Sequence, residues 1–142
     1  MTMTDSGERA GRSIRGRVLV GPVLIIIGVL HCATAPVFYG DSLRSILDAG
    51  VVASVEADPA LTMLRAAGFW YLSAGVGMLA LGALTWWVER TVGVVPALLG
   101  WLLLALMVWG VALMPASGFW AFLVPAALVF RSARRGAVPA SR

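Results

Sequence analysis

The chain contains one histidine, His31, inside an uncharged apolar stretch. Imidazole gains and loses a proton near neutral pH, so this side chain could carry a proton, act as a base or hold a ligand. An ionisable group among apolar residues can also have a purely structural role. As a neutral imidazole it would hydrogen-bond to a neighbouring helix, which is the more common role. Residue type alone leaves both roles open.

Helical spacing places His31 on one face of its segment with small, hydroxyl and apolar residues. This face comprises Leu24, Ile27, Gly28, His31, Thr34, Ala35 and Phe38. Because small and hydroxyl residues are typical of contacts between membrane helices, we expect the face to point into a bundle. Tryptophans elsewhere could line a cavity beside it. The candidate binding residues are His31, Thr34, Trp70, Trp109 and Trp120.

Other kinds of chemistry have little support. The single cysteine, Cys32, forms no CxxC motif and points about 100° away from His31 on a helix, so no metal site and no cofactor are expected. The standard catalytic motifs are absent, and the chain is expected not to be an enzyme. A weaker alternative is a lipid- or quinone-modifying enzyme, with His31 as base and Asp41 or Asp48 as its partner.

The composition predicts a membrane protein. Of the 142 residues, 60% are hydrophobic and 13% are charged, with a mean hydropathy of +0.90. Too little polar surface is available to cover such a chain in water. The basic residues are all arginine, and eight of the eleven cluster at the two termini beside apolar segments, a pattern typical of membrane topology rather than of nucleic-acid binding. The arginine-rich, lysine-free composition favours a bacterial source.

We therefore predict an all-α fold, a bundle of four transmembrane helices with both termini in the cytoplasm. A cleaved signal peptide ending at Ala35 is the less favoured reading of the first apolar segment, because Pro36 follows. The predicted spans are 18–38, 66–88, 95–114 and 115–130. Basic tails at 1–17 and 131–142 flank them, the first expected to be disordered. Four spans place nine arginines on the inner side and only Arg44 and Arg65 outside, as the positive-inside rule favours.

The segments between the spans carry local signals. The outer loop at 39–65 is expected to hold a short helix ending at Gly50, and Asp58-Pro59 is expected to begin the second helix. Glu89 and Arg90 are expected to be solvated at headgroup level. On the second helix, one stripe is predicted to pack closely against a neighbour. Its residues are Ala66, Ser73, Gly77 and Ala80.

Several local motifs occur together. They are Gly28-x-x-His31, Phe69-Trp70, Trp87-Val88-Glu89-Arg90, and the run from Leu113 to Trp120 that reads Leu-Met-Pro-Ala-Ser-Gly-Phe-Trp. In this combination the chain resembles a family of small bacterial four-helix integral membrane proteins of unknown function, over about Arg15 to Arg135. The resemblance implies the topology and assigns no chemistry.

The sequence favours a non-enzymatic helical bundle in the bacterial plasma membrane. The lipid bilayer is its expected environment, and its partners would be copies of itself or another membrane protein. The alternative is a small transporter or lipophile-binding protein that uses His31.

Overall fold

A computed structural model of the chain describes residues 19–136, and within this range all regular structure is helical. The four α-helices are α1 (Val20–Asp48), α2 (Thr62–Thr91), α3 (Ala97–Leu113) and α4 (Leu123–Gly136), and a 3₁₀ helix (Gly118–Phe122) precedes α4. The all-helical prediction is confirmed for this range. The basic tail at 1–17 and the last six residues lie outside the described residues.

The first helix is longer than its predicted span. It continues beyond residue 38 to Asp48, with one break in helical geometry at Tyr39 (φ −130°, ψ 27°), three residues after Pro36. The short helix expected in the outer loop is therefore the second part of α1. Gly50 follows with φ +85°, in the left-handed region that favours glycine, and it ends the helix as predicted.

The second helix begins at Thr62, three residues after the predicted start at Pro59. Asp58 organises a turn instead: its Oδ1 accepts the Ala60 N–H at 2.9 Å, and its carbonyl accepts the Leu61 N–H at 3.0 Å. The prediction of an N-cap at Asp58 was wrong about the position, because these bonds close a separate turn ahead of the helix.

The predicted fourth span, 115–130, is not one continuous helix. A turn comes first, in which Trp120 Nε1 donates to the Pro115 carbonyl at 2.9 Å. The 3₁₀ helix and α4 follow, and α4 continues to Gly136. Pro125 is the third residue of α4, where a backbone N–H has no partner inside the helix, so it does not interrupt the helix.

The helices form two hairpins. Helix α1 packs along α2, α3 packs against the 3₁₀ helix and α4, and α1 also contacts α4. One apolar core joins the hairpins. Its buried members are Val20, Leu24, Val95, Leu103, Phe122, Ala126 and Val129. Because these residues include the start of α1, the α2–α3 connection and the middle of α4, the core brings these segments to the same end of the molecule.

Helices α1 and α2 meet along small residues spaced seven apart. On α1 the repeat is Gly21, Gly28, Ala35 and Ser42, and on α2 it is Gly68, Gly75 and Gly82, all of them buried. A Cβ at Gly82 would lie 2.8 Å from the Ile25 backbone nitrogen and 3.1 Å from the Gly21 carbonyl oxygen. The two backbones therefore approach closely, and glycine is required there.

The predicted stripe on α2 lies only partly against a neighbour: Ala66 and Ser73 are half-buried. Gly77 and Ala80 are exposed, and nothing lies within 4 Å of the position that a Gly77 Cβ would take. The buried small residues lie on a different face and follow a seven-residue period. Such a period keeps one face of a helix turned to its partner when the two helices supercoil around each other.

Glu89 and Ser42 form hydrogen bonds between α1 and α2 at opposite ends of this hairpin. Glu89 accepts the Val20 N–H at 2.7 Å and the Gly21 N–H at 3.2 Å, and it thereby caps α1. Burial raises the pKa of the Glu89 carboxyl, and these two hydrogen bonds act in the opposite direction. At the other end, Ser42 Oγ accepts the Gly68 N–H at 3.1 Å. The expectation that Glu89 is a solvated surface charge was wrong, because it binds another helix.

The close approach of α1 and α2 predicts opposite effects for two glycines of α2. Gly82→Ala should destabilise the protein by about 1–3 kcal/mol, because the added methyl group meets backbone atoms that cannot rotate away. Gly77→Ala should leave the stability of the monomer unchanged or raise it by up to about 1 kcal/mol, because alanine favours the helix and meets no neighbour within this chain. Unfolding of the two variants in detergent, compared with wild type, measures this. Equal destabilisation by both would contradict the described interface.

Candidate functional site

His31 lies half-buried between α1 and α2. Its Nε2 is 3.1 Å from the backbone carbonyl oxygen of Tyr71, and its ring stacks on the Tyr71 ring with centroids 3.9 Å apart and planes 18° apart. Gly75 makes this approach possible, since a Cβ there would lie 3.1 Å from His31 Cδ2 and would collide with Cys32 Sγ. The histidine is thus held by the same close helix contact that shapes the hairpin.

Two hydroxyl groups extend the arrangement around His31. Tyr71 Oη and Thr34 Oγ1 are 2.8 Å apart, and Thr34 Oγ1 donates to the His31 carbonyl at 2.8 Å. The Thr34 proton is used in that bond, so the Tyr71 hydroxyl donates to Thr34. The Tyr39 ring lies 4.6 Å from the Tyr71 ring. We call His31, Thr34, Tyr39 and Tyr71 the His31 cluster.

The hydrogen bond to Tyr71 determines which nitrogen of His31 carries the proton. A carbonyl oxygen can only accept, so Nε2 is the protonated nitrogen of the neutral ring. Nδ1 then keeps a lone pair, and within residues 19–136 it makes no hydrogen bond. The cluster can therefore offer one acceptor nitrogen next to a stack of aromatic rings.

The predicted inward face of α1 is largely confirmed. Leu24 and Ala35 are fully buried, Gly28 is buried against Leu79, and His31 and Thr34 are half-buried. Phe38 does not follow the pattern, since it is 68% exposed. The break at Tyr39 immediately after it ends the regular helical face of this segment.

The structure does not bring the three candidate tryptophans to the His31 cluster. Trp70 is 68% exposed and meets Phe69 edge to face, Trp109 is 67% exposed, and Trp120 is half exposed with its Nε1 bound to the Pro115 carbonyl. Each lies on an outer surface, so the expectation that these tryptophans line a cavity beside His31 has no support in this arrangement. Tyr71 and Tyr39 lie beside His31 instead, and neither is among the candidate residues predicted from the sequence.

A metal centre would need several ligands, and no group of three or more His, Cys, Asp or Glu side chains converges within residues 19–136. In the His31 cluster the hydroxyl groups of Thr34 and Tyr71, the carbonyls of His31 and Tyr71 and Nε2 of His31 are already hydrogen-bonded within the cluster. The Tyr39 hydroxyl and Nδ1 of His31 are left as its only other polar side-chain atoms among the described residues. These atoms suit hydrogen bonding to a neutral or weakly polar ligand better than they suit holding a metal ion.

Comparison with known proteins gives one family. A family described as "Family of unknown function (DUF6463)" matches residues 15–136, most of the chain. No curated protein and no solved structure matches. The match covers α1 to α4 and includes every residue of the His31 cluster.

The hydroxyl contact between Tyr71 and Thr34 predicts a difference between two tyrosines. Tyr71→Phe should lower the free energy of unfolding by about 0.5–1.5 kcal/mol, because it removes one interhelical hydrogen bond. Tyr39→Phe is the matched control: its ring packs on Tyr71, and its hydroxyl makes no hydrogen bond within the described residues, so stability should change little. Denaturation in detergent measures both. Equal shifts for the two variants would argue against the described bond.

Proposed function

We propose that this chain, which belongs to the family of unknown function DUF6463, is a multi-pass integral membrane protein of the bacterial plasma membrane. The supporting observation is that two of its helices are long, apolar and little buried. Helices α1 and α2 contain 18-residue windows of mean hydropathy 2.0 and 1.5, of which only 28% and 17% is buried. A core helix of a soluble protein would be mostly buried, whereas a helix in lipid need not be.

The outer surface supports the same proposal. Large apolar side chains are exposed on α1, α2 and α3, among them Leu30, Val37, Trp70, Val76, Leu84, Leu98, Trp101, Leu106 and Trp109. A water-soluble monomer rarely exposes apolar patches on this scale. Hydrocarbon would cover this surface at no cost, and the tryptophans suit the interface between lipid and water.

The four-span topology is part of the proposal, with α3 and α4 as the third and fourth spans. Helix α3 has 17 residues, about 26 Å of helix, which is short for a hydrocarbon core and requires local thinning. The packing favours one orientation. Since the apolar core joins Val20, Val95 and Val129, the arginines near these residues in sequence, Arg90 and Arg131 among them, belong to the end where α1 begins. That end is proposed to be cytoplasmic.

The proposed role is that of a non-enzymatic bundle that assembles with copies of itself or with another membrane protein. Helix α2 supports this role. Its face at Ala74, Gly77 and Ala80 is exposed and made of small residues, which admit the close approach of another membrane helix.

A second candidate function is the binding or transport of a small lipophilic molecule at the His31 cluster. The observation that favours it is the acceptor nitrogen Nδ1 of His31 beside the stacked Tyr71 ring. A planar molecule with a hydrogen-bond donor would match both features. Such a molecule would reach the cluster from the surrounding lipid.

Cysteine labelling tests the four-span topology. In a Cys32→Ala background, Val52→Cys and Ala116→Cys should react with a membrane-impermeant maleimide in intact cells, because both exposed residues are proposed to lie outside. Val92→Cys should react only after permeabilisation, because the α2–α3 connection is proposed to lie inside. Labelling of residue 116 only after permeabilisation would leave α1 and α2 as the spans and reject the other two.

Native mass spectrometry of the protein in mild detergent tests the second candidate. Wild type should retain a small-molecule adduct, and His31→Ala should lose it while keeping its oligomeric state. Cys32→Ala, one residue away on the same helix, serves as the control and should keep the adduct. Ligand-free wild type and variants with the same oligomeric mass would reject the binding function and favour the assembly role.

A further inference from the structure

Arg65 is an unusual residue for its position, because its charge is buried. The side chain is 7% exposed and lies in the first turn of α2. Its Nε donates to Ser45 Oγ at 2.8 Å and its Nη1 donates to the Ser54 carbonyl at 2.7 Å. Both acceptors are neutral, and within residues 19–136 no carboxylate forms an ion pair with Arg65.

Neutral acceptors satisfy hydrogen bonds without neutralising the charge. A buried guanidinium is costly unless an anion pairs with it. From the sequence, Arg65 was predicted only to lie on the outer side of the membrane. In the folded hairpin, where Ser42 bonds to Gly68 and to the Arg65 carbonyl, its side chain is buried. The arrangement is therefore stable with an anion beside Arg65 and less so without one.

An open cavity of about 390 Å³ lies next to Arg65, between the second part of α1 and the start of α2. Seven residues line it: Asp41, Arg44, Ser45, Asp48, Ala49, Leu61 and Arg65. The wall thus carries two guanidinium groups and two carboxylates, and no aromatic ring. A ligand that fits this wall carries both signs of charge.

The start of α2 adds positive potential at the same wall. Its first turn contains no acidic residue and no side chain caps it, while Leu61, which directly precedes it, lines the cavity. The unpaired N–H groups of a helix N-terminus favour an anion and bind phosphate oxygens well. Arginine binds phosphate through paired N–H groups, so the two guanidinium groups and the helix start select the same kind of anion.

We propose that this cavity binds the headgroup of a phospholipid that carries a phosphate and a primary ammonium group, as phosphatidylethanolamine does. Arg65 and Arg44 bind the phosphate, and the carboxylates of Asp41 and Asp48 bind the ammonium group. A quaternary ammonium fits less well, because it has no N–H to donate and the wall offers no aromatic ring to hold it. This proposal rests on the proposed membrane location.

The surroundings favour a lipid over a soluble molecule of the same headgroup chemistry. Exposed apolar side chains lie within two residues of the cavity lining in sequence on both helices: Leu47 is 66% exposed, Met63 82% and Leu64 43%. Acyl chains can lie on these side chains while the headgroup occupies the polar wall. A soluble phosphate compound would leave them uncovered.

The test compares lipid retention by the full chain. The protein is reconstituted in nanodiscs with equal amounts of phosphatidylethanolamine, phosphatidylglycerol and phosphatidylcholine of identical acyl chains, released into mild detergent and examined by native mass spectrometry. Wild type should retain phosphatidylethanolamine preferentially. Arg44→Gln and Asp48→Asn, both at exposed positions, should each reduce this retention about tenfold, as expected for the loss of one charge-assisted contact.

Matched controls separate a local effect from a change in net charge. Arg90→Gln removes an exposed arginine that stacks on Trp86, and Glu56→Gln removes an exposed carboxylate that does not line the cavity. Both should retain the lipid as wild type does. Equal retention in all four variants would overturn the proposal. Equal binding of phosphatidylglycerol, with no effect of Asp48→Asn, would reject the ammonium half and leave a simple anion site.

Two further experiments distinguish a lipid from a soluble phosphate compound, and failure of the headgroup site from failure of the proposed membrane location. Displacement of the lipid by inorganic phosphate would reject the lipid and indicate a soluble phosphate ligand. Alkaline carbonate extraction of native membranes tests the membrane location separately. Release of the chain by carbonate would reject the proposed function itself, whereas a chain that stays in the membrane with unselective lipid retention rejects only the headgroup site.

Discussion

The close contact between α1 and α2 is the constraint on which the other features depend. Small residues recur every seven positions on both helices, so the two backbones can stay in contact over almost their full length. Because Gly75 and Gly68 have no side chain, the His31 ring fits against Gly75 and the Ser42 side chain fits against Gly68. Glu89 joins the two helices at the opposite end. The polar contacts between α1 and α2 therefore depend on the glycine repeat.

The two ends of this hairpin differ in chemistry. At the end with Val20, an apolar core joins both hairpins and one carboxylate caps a helix. At the other end, α1 breaks at Tyr39 and turns charged residues toward Arg65 and a cavity. The His31 cluster lies between them. The packed apolar end is the one proposed to lie in the cytoplasm, and the polar open end is the one at which we propose that a lipid headgroup binds.

Prediction from the sequence was accurate where the signal was local and weak where it depended on a partner. Long apolar runs indicated the helices, and Gly50 indicated where one of them ends. The fourth segment was misplaced, because a 3₁₀ helix and a proline in the first turn have no strong signal in hydropathy. Glu89 was taken for a surface charge, since nothing local shows that the free N–H groups of α1 lie opposite it.

The sequence by itself determined that the chain is helical and apolar, and that His31 lies on the packed face of α1, because composition and helical spacing are properties of single segments. The seven-residue repeat of small residues is also present in the sequence, but the prediction chose a different stripe of α2, and only the packed hairpin showed that the repeat forms the contact. Only the tertiary structure decided that Tyr71 stacks on His31, that Arg65 is buried and that the tryptophans face outward. These facts depend on which faces of two helices meet, and residues forty positions apart become neighbours only when the helices pack.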